Sequence, residues 1–178
     1  SEVEMALDYS VNETSSSVYL RLVSIPYDIP FQLPENYRLE YGKGVAVTEG
    51  DDAVMFSYGP VMLTQAVKAA ELLKEKHGLG LRVINLPWLN HVDADWLRSS
   101  VEDFKYIFTL DDHFEKGGQG EMLACSLSEQ HEATNFQLCR IGINKIPACG
   151  QNDEVLCEHG MDARALTDRV CMAVEGRA

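Results

Sequence analysis

Basic residues are scarce in this chain, and the scarcity excludes whole classes of partner. Fifteen Lys and Arg stand against 28 Asp and Glu, a formal charge of −13 with a pI near 4.7. Nucleic acids and anionic membranes require a basic face that displaces counterions, so neither is expected as a partner. Also lacking is any apolar run near the ~18 residues that a membrane span needs. The opening Ser1-Glu2-Val3-Glu4 is acidic and has no charged-then-apolar leader pattern. The cysteines, at positions 125, 139, 149, 157 and 171, are odd in number and form no CxxC. Such spacing supports neither a disulfide framework nor a zinc site; buried or half-buried free thiols in a reducing cytoplasm are expected.

What is present suits a folded domain. The chain has 178 residues, 46% of them hydrophobic and 24% charged, and a chain of that length buries roughly 70% of its unfolded surface without staples. Residues 1–23 stand apart from the rest. Val3, Leu7 and Val11 recur at helical spacing, a polar stretch from Asn12 to Ser17 stops the pattern, and Val18 to Val23 has the composition of a strand. Pro26, Pro30 and Pro34 then mark residues 24–40 as an extended linker. A helix and a strand before a linker are too small to hold a core, so residues 1–23 are expected to belong to a preceding domain.

From residue 41 a strand–helix rhythm begins. Gly44 to Thr48 and Ala53 to Tyr58 are predicted strands of opposite direction, separated by the turn Glu49-Gly50-Asp51-Asp52. Gly59-Pro60 opens a helix that His77-Gly78 closes. Further strands are predicted over 81–86, 106–110 and 136–143. Asp93 or Asp95 caps one helix, Gly117-Gly118-Gln119-Gly120 leads into another that runs to about Glu129, Asn152 caps a short one, and Asp162 starts the last. Alternation of this kind implies parallel strands with crossover helices. The expected fold is a three-layer α/β/α sandwich around a mixed sheet of about five strands, the first antiparallel.

Several residues could carry chemistry. Asp111, Asp112, His113 and Glu115 stand at the carboxyl end of a strand, where they could hold a divalent metal or act as an acid–base pair, or form a solvated loop. The glycine turn could present amides to an anion, or serve only as a sharp turn; it is neither GxGxxG nor GxxxxGK[ST], so it carries no nucleotide fingerprint. His91, in a loop after a strand, could be a base but has no paired nucleophile. Cys125 is expected near the start of a helix as a small buried hydrophobe. Arg21, alone in an apolar run, could face an anionic ligand or pair with an acid of a neighbouring domain. Residue by residue, the alternatives are an α/β module that binds a small anion or metal at its strand ends, and part of a larger enzyme.

The order of segments resembles the C-terminal part of the transketolase family, which includes transketolase, 1-deoxyxylulose-5-phosphate synthase and the β part of the 2-oxo acid dehydrogenase decarboxylases. The likeness runs from Val18-Tyr19-Leu20-Arg21-Leu22 through Gly42-Lys43-Gly44, Glu49-Gly50-Asp51-Asp52-Ala53-Val54 and Tyr58-Gly59. It continues through Leu81-Arg82-Val83-Ile84-Asn85-Leu86-Pro87, Leu110-Asp111-Asp112-His113, the glycine turn, Ile141-Gly142-Ile143 and His159-Gly160-Met161-Asp162. The resemblance implies a parent enzyme that uses thiamine diphosphate and Mg²⁺ for ketol or acyl transfer on sugar phosphates or 2-oxo acids. It implies that residues 1–23 are the tail of a pyrimidine-binding domain and that residues 41–178 form a non-catalytic domain that packs on the others and helps a homodimer form. No catalytic residue, metal ligand or cofactor is then expected on this chain alone. Arg21 would be the substrate contact, with His113, Gly117, Gly118 and Gly120 shaping a ligand surface. Two departures stand out. Ser24 lies where several relatives have a second arginine that helps hold a substrate's anionic group, which bears on the substrate. Asn90-His91 lies where a Lys-Pro pair commonly precedes the aspartate matching Asp93, which bears on the branch of the family.

Overall fold

Strand β2 (Ala53–Ser57) is buried along its whole length, and the other elements are arranged around it. Ala53 and Met55 enter one apolar cluster and Val54 and Phe56 the other, because successive side chains of a strand point to opposite faces. The computed structural model describes residues 1–129 and 135–176, so residues 130–134 and 177–178 of the expected domain lie outside the description. β3 (Leu81–Asn85) and β4 (Tyr106–Phe114) flank β2 in parallel. β5 (Gln137–Ile143) is parallel to β4, and β1 (Val45–Ala46) is antiparallel to β3, giving the order β1-β3-β2-β4-β5.

Helices cover both faces. On one, α2 (Pro60–His77) and α6 (Ala163–Glu175) lie side by side, with Ala66, Leu73, Leu166 and Val170 packed against Met55, Val83 and Phe108; Leu156 of α5 (Asn152–Glu158) joins them. On the other, α3 (Ala94–Val101) and α4 (Gln119–Glu129) place Leu97, Val101, Leu123 and Leu127 against Val54, Phe56 and Ile107. This is the expected three-layer mixed sandwich. The helix signals act at the expected positions: Pro60 fills the first position of α2, Gly78 ends it in the left-handed conformation, and the Asp93 and Asp162 carboxylates accept amides of α3 and α6. No helix among the described residues is long and apolar enough to cross a membrane.

Five expectations change in detail. β1 runs opposite to β2 but does not pair with it, because β3 lies between them. β1 is also shorter than predicted, although Val47 N–H still donates to Val83 O at 2.8 Å and the Thr48 hydroxyl donates to Leu81 O at 2.8 Å. Helix α5 begins after Gln151 rather than after an Asn152 cap, and the Gln151 amide donates to Glu154 at 3.0 Å. Cys125 is exposed: two residues from core-facing Leu123, it falls on the opposite side of the helix. Cys149 and Cys157 are exposed as well, while Cys139 and Cys171 are half-buried. Finally, Val18–Val23 pairs with no strand among the described residues; β composition without a neighbouring edge leaves the backbone bonds unmade.

Residues 2–13 are helical, as α1 (Glu2–Asp8) followed by a π-helical turn over Tyr9–Glu13. The packing of this helix is inverted relative to its composition. Glu2, Met5, Ala6, Tyr9 and Ser10 form the shielded face, while Val3, Leu7 and Val11 are exposed.

Stability should follow this division. Leu73→Ala, at a site of zero exposure, should cost about 2–5 kcal/mol in urea unfolding, whereas Val11→Ala, at 77% exposure, should stay within about 0.5 kcal/mol.

Candidate functional site

The connections that follow β2 and β4 leave these neighbouring strands toward opposite faces, one through α2 and the other through α4. A crevice at such a point is where open α/β sheets hold ligands. Here the chain fills it. Asp111 follows the last β4 residue paired with β2 and lies within β4, a strand that runs on to Phe114 beyond the expected end at residue 110. It is 1% exposed. Its Oδ1 accepts from the Gln119 amide at 2.8 Å and the Tyr58 hydroxyl at 3.2 Å, and its Oδ2 accepts from the Gly120 amide at 2.9 Å. These amides open α4, where no preceding turn supplies carbonyls, and the carboxylate also meets the positive end of the helix dipole. The glycine turn thus holds an anion, and that anion is an internal carboxylate.

The same cluster joins three strand ends. Gln119 Nε2 donates to Leu86 O at 2.8 Å and Trp88 O at 2.9 Å, fixing the loop after β3. Ser57 Oγ donates to Leu110 O at 3.0 Å, closing β2 onto β4. Gly120 has no room for a side chain: an added Cβ would overlap Thr109 Oγ1 and lie 3.0 Å from Asp111 Oδ2. Gly118 is as crowded, with a Cβ falling 2.7 Å from Phe114 O. Gly117 adopts φ +77°, and its amide donates to the Glu121 carboxylate at 2.5 Å. Burial raises the Asp111 carboxyl above the ordinary carboxylate range, and the bonds from Gly120, Gln119 and Tyr58 oppose that shift. Burial first, then the Asp111 charge, pushes the Tyr58 phenol upward, so it remains a donor.

Arg21 reaches the rim of this crevice. Its Nη1 donates to Asp112 O at 2.8 Å and its Nη2 to Asp112 Oδ2 at 3.0 Å. His113 is exposed beside it, with Nδ1 3.0 Å from Phe114 O. His91 lies elsewhere, stacked on Tyr41 at 4.1 Å between ring centroids, and lines an open cleft with Asn90, Met122, Cys125 and Glu129. The acidic cluster does not suit a metal: Asp111 is taken by amides, Asp112 by Arg21, and no group of three His, Cys, Asp or Glu converges among the described residues. Two contributors were not foreseen from sequence. One is Tyr58, a hydroxyl directly after an otherwise buried strand. The other is Glu2, whose Oε1 accepts from Asn85 Nδ2 at 2.7 Å and the Tyr37 hydroxyl at 3.1 Å.

Asp111→Ala should orphan two buried amides and cost about 2–4 kcal/mol in chemical unfolding; Gly120→Ala should cost about 1–3 kcal/mol through overlap. The pH dependence has a definite sign. With its pKa raised in the folded state, Asp111 binds more protons folded than unfolded across that window, so its contribution improves as pH falls through the folded value. Unfolding at a series of pH values should show wild type gaining on Asp111→Asn during acidification.

Known proteins share this architecture and its sequence. The family model for the transketolase C-terminal domain matches residues 42–166. A protein named as a putative transketolase C-terminal section in Methanocaldococcus jannaschii is 26% identical over 162 residues, covering 90% of this chain and 49% of its own length. A subunit of the apulose-4-phosphate transketolase of Actinobacillus succinogenes is 25% identical over 167 residues, covering 94% of this chain and 52% of its own. This chain therefore spans about half the length of these relatives. Among solved structures, a split-gene transketolase in an inactive β4 tetramer superposes with a TM-score of 0.71 at 26% identity, over 83% of this chain and 47% of that one. With the family model matching more than half of its length, the chain belongs to the transketolase C-terminal domain family.

Proposed function

We propose that this chain is the non-catalytic C-terminal part of a cytoplasmic, thiamine-diphosphate-dependent enzyme, and that its work is domain packing and homodimer formation. The observation that carries this reading is the closed crevice: the place where an α/β sheet would bind a ligand is occupied by Asp111 and its donors. In the intact enzyme, ketol or acyl transfer on sugar phosphates or 2-oxo acids would be carried out by other domains or a second subunit. The names of the two relatives, one a C-terminal section and the other a transketolase subunit, support a division of the enzyme into two parts. The split-gene structure, an inactive tetramer of one chain type, supports self-association without activity.

Within this reading, residues 1–23 are the tail of a pyrimidine-binding domain, 24–40 the linker and 41–178 the C-terminal domain. The start of the family match at residue 42 supports placing the last boundary nearby. Arg21 would be the substrate contact: its side chain is 38% exposed while its guanidinium is held by Asp112. His113, Gly117, Gly118 and Gly120 would shape the adjoining surface. The residues present do not fit Mg²⁺ and a diphosphate, since the carboxylates and amides at the strand ends are already engaged with one another. No chemical step is assigned to them.

Calorimetric titration of the isolated chain with thiamine diphosphate and Mg²⁺ should give no saturable heat up to millimolar concentration. Micromolar saturable binding would contradict the proposal.

A further inference from the structure

The connection from β5 to α5 is held by very few contacts. It gives no residue to either apolar cluster, and among residues 144–150 only Ala148 is even half-buried. Ile146 is 90% exposed. Two side chains tie its first part: Asn144 Nδ2 donates to Glu115 Oε1 at 3.4 Å, and Lys145 Nζ donates to Glu158 Oε1 at 2.5 Å. Of the backbone amides in 144–150, only that of Ala148 has a hydrogen-bond partner among the described residues. It donates to His159 Nε2 at 3.1 Å.

His159 is itself firmly placed. It closes α5, its own amide donates to Val155 O at 3.1 Å, and it is 9% exposed, with the core residues Leu156 and Met161 on either side of it in sequence. A backbone amide only donates, so the ring nitrogen that faces it is unprotonated and the ring carries its proton on Nδ1. Charges of both signs surround the ring. Glu158 stands on its own helix, Lys145 on the connection, and Arg169 on α6, with Nη2 3.3 Å from where a Cβ on Gly160 would lie. Of the nearby thiols, Cys149 is exposed and Cys157 bonds Asp162 instead.

We propose that His159 is a pH-sensitive latch: its neutral ring holds residues 144–150 closed, and a second proton, on Nε2, releases them. A protonated Nε2 is a donor facing a donor, so the bond to Ala148 is lost. The closed connection thus binds one proton fewer than the open one, and acidification favours opening. Imidazoles ordinarily change charge between about pH 5 and 8. The second tie does not follow the same switch, because the hydrogen bond and charge of Lys145 hold the Glu158 carboxyl below the usual carboxylate value. Release is local, since Leu156 and Met161 keep α5 in the core.

The test uses the full chain labelled with ¹⁵N. Amide exchange at Ala148 and the ring nitrogen resonances of His159 are followed from about pH 8 down to about pH 5, alongside His159→Gln, whose side-chain oxygen stands in for Nε2 and does not titrate there. The latch predicts an Nδ1–H ring at high pH. It also predicts that Ala148 protection, corrected for intrinsic exchange, falls by up to about tenfold per pH unit once Nε2 gains its proton. The central β2 amides should keep their protection, and His159→Gln should keep that of Ala148 throughout. A ring proton on Nε2 at high pH overturns the latch. So does a ring that stays neutral across the range, or one that titrates while Ala148 protection holds constant. These three measurements need only the wild-type chain, so an unfolded variant does not spare the proposal. Equal loss at Ala148 in a folded His159→Gln overturns it as well.

Discussion

The Asp111 carboxylate is the interaction on which the strand-end architecture depends. It sits where the connections of β2 and β4 diverge, and it is bonded to the first amides of α4 and to the Tyr58 hydroxyl. A buried charge is costly unless it is compensated, and here two backbone donors, a phenol and a helix dipole compensate it. The compensation is mutual, because the opening amides of a helix are themselves orphans. One side chain thus solves two problems, and in doing so it fixes where α4 starts. Gly120 follows from the same constraint, since only a residue without a side chain lets the helix come this close to Thr109 and Asp111.

From that point the polar network spreads sideways. Gln119 reaches the loop after β3, Ser57 ties β2 to β4, and Arg21 is held over the rim by Asp112. The segment before residue 24 is attached differently. It contributes no buried residue to either apolar cluster and is held by Glu2, Tyr9 and Arg21 at separate strand ends. Few, directional contacts position a segment without giving it a core, and such segments open at lower free energy than the sheet they rest on.

The fold was largely legible in the sequence because its signals are local. Pro60, Gly78, Asp93 and Asp162 each act on the turn they stand in, and the continuous apolar run of β2 announces a strand buried on both faces. What could not be read depends on distant partners. The turn at 49–52 fixes the direction of β1 relative to β2, but the insertion of β3 between them is decided by the crossover of α2. Val18–Val23 has strand composition and no edge to join. Glycines 117, 118 and 120 were visible as an anion cradle; that the anion would be Asp111, eight and nine residues before the amides it accepts, is a matter of tertiary geometry. The stripe of Val3, Leu7 and Val11 was equally plain, and its outward direction was not, because Glu2 and Tyr9 find their partners more than 25 residues away.

Amide hydrogen exchange at Gln119 and Gly120 tests the role of Asp111 most directly. First-turn helix amides ordinarily exchange fast, having no intrahelical acceptor. If the carboxylate holds them, both should be protected to near the level of the central β2 amides and should lose that protection in Asp111→Ala while β2 keeps its own. Rapid exchange of both amides in the wild-type chain would contradict a crevice closed by its own aspartate.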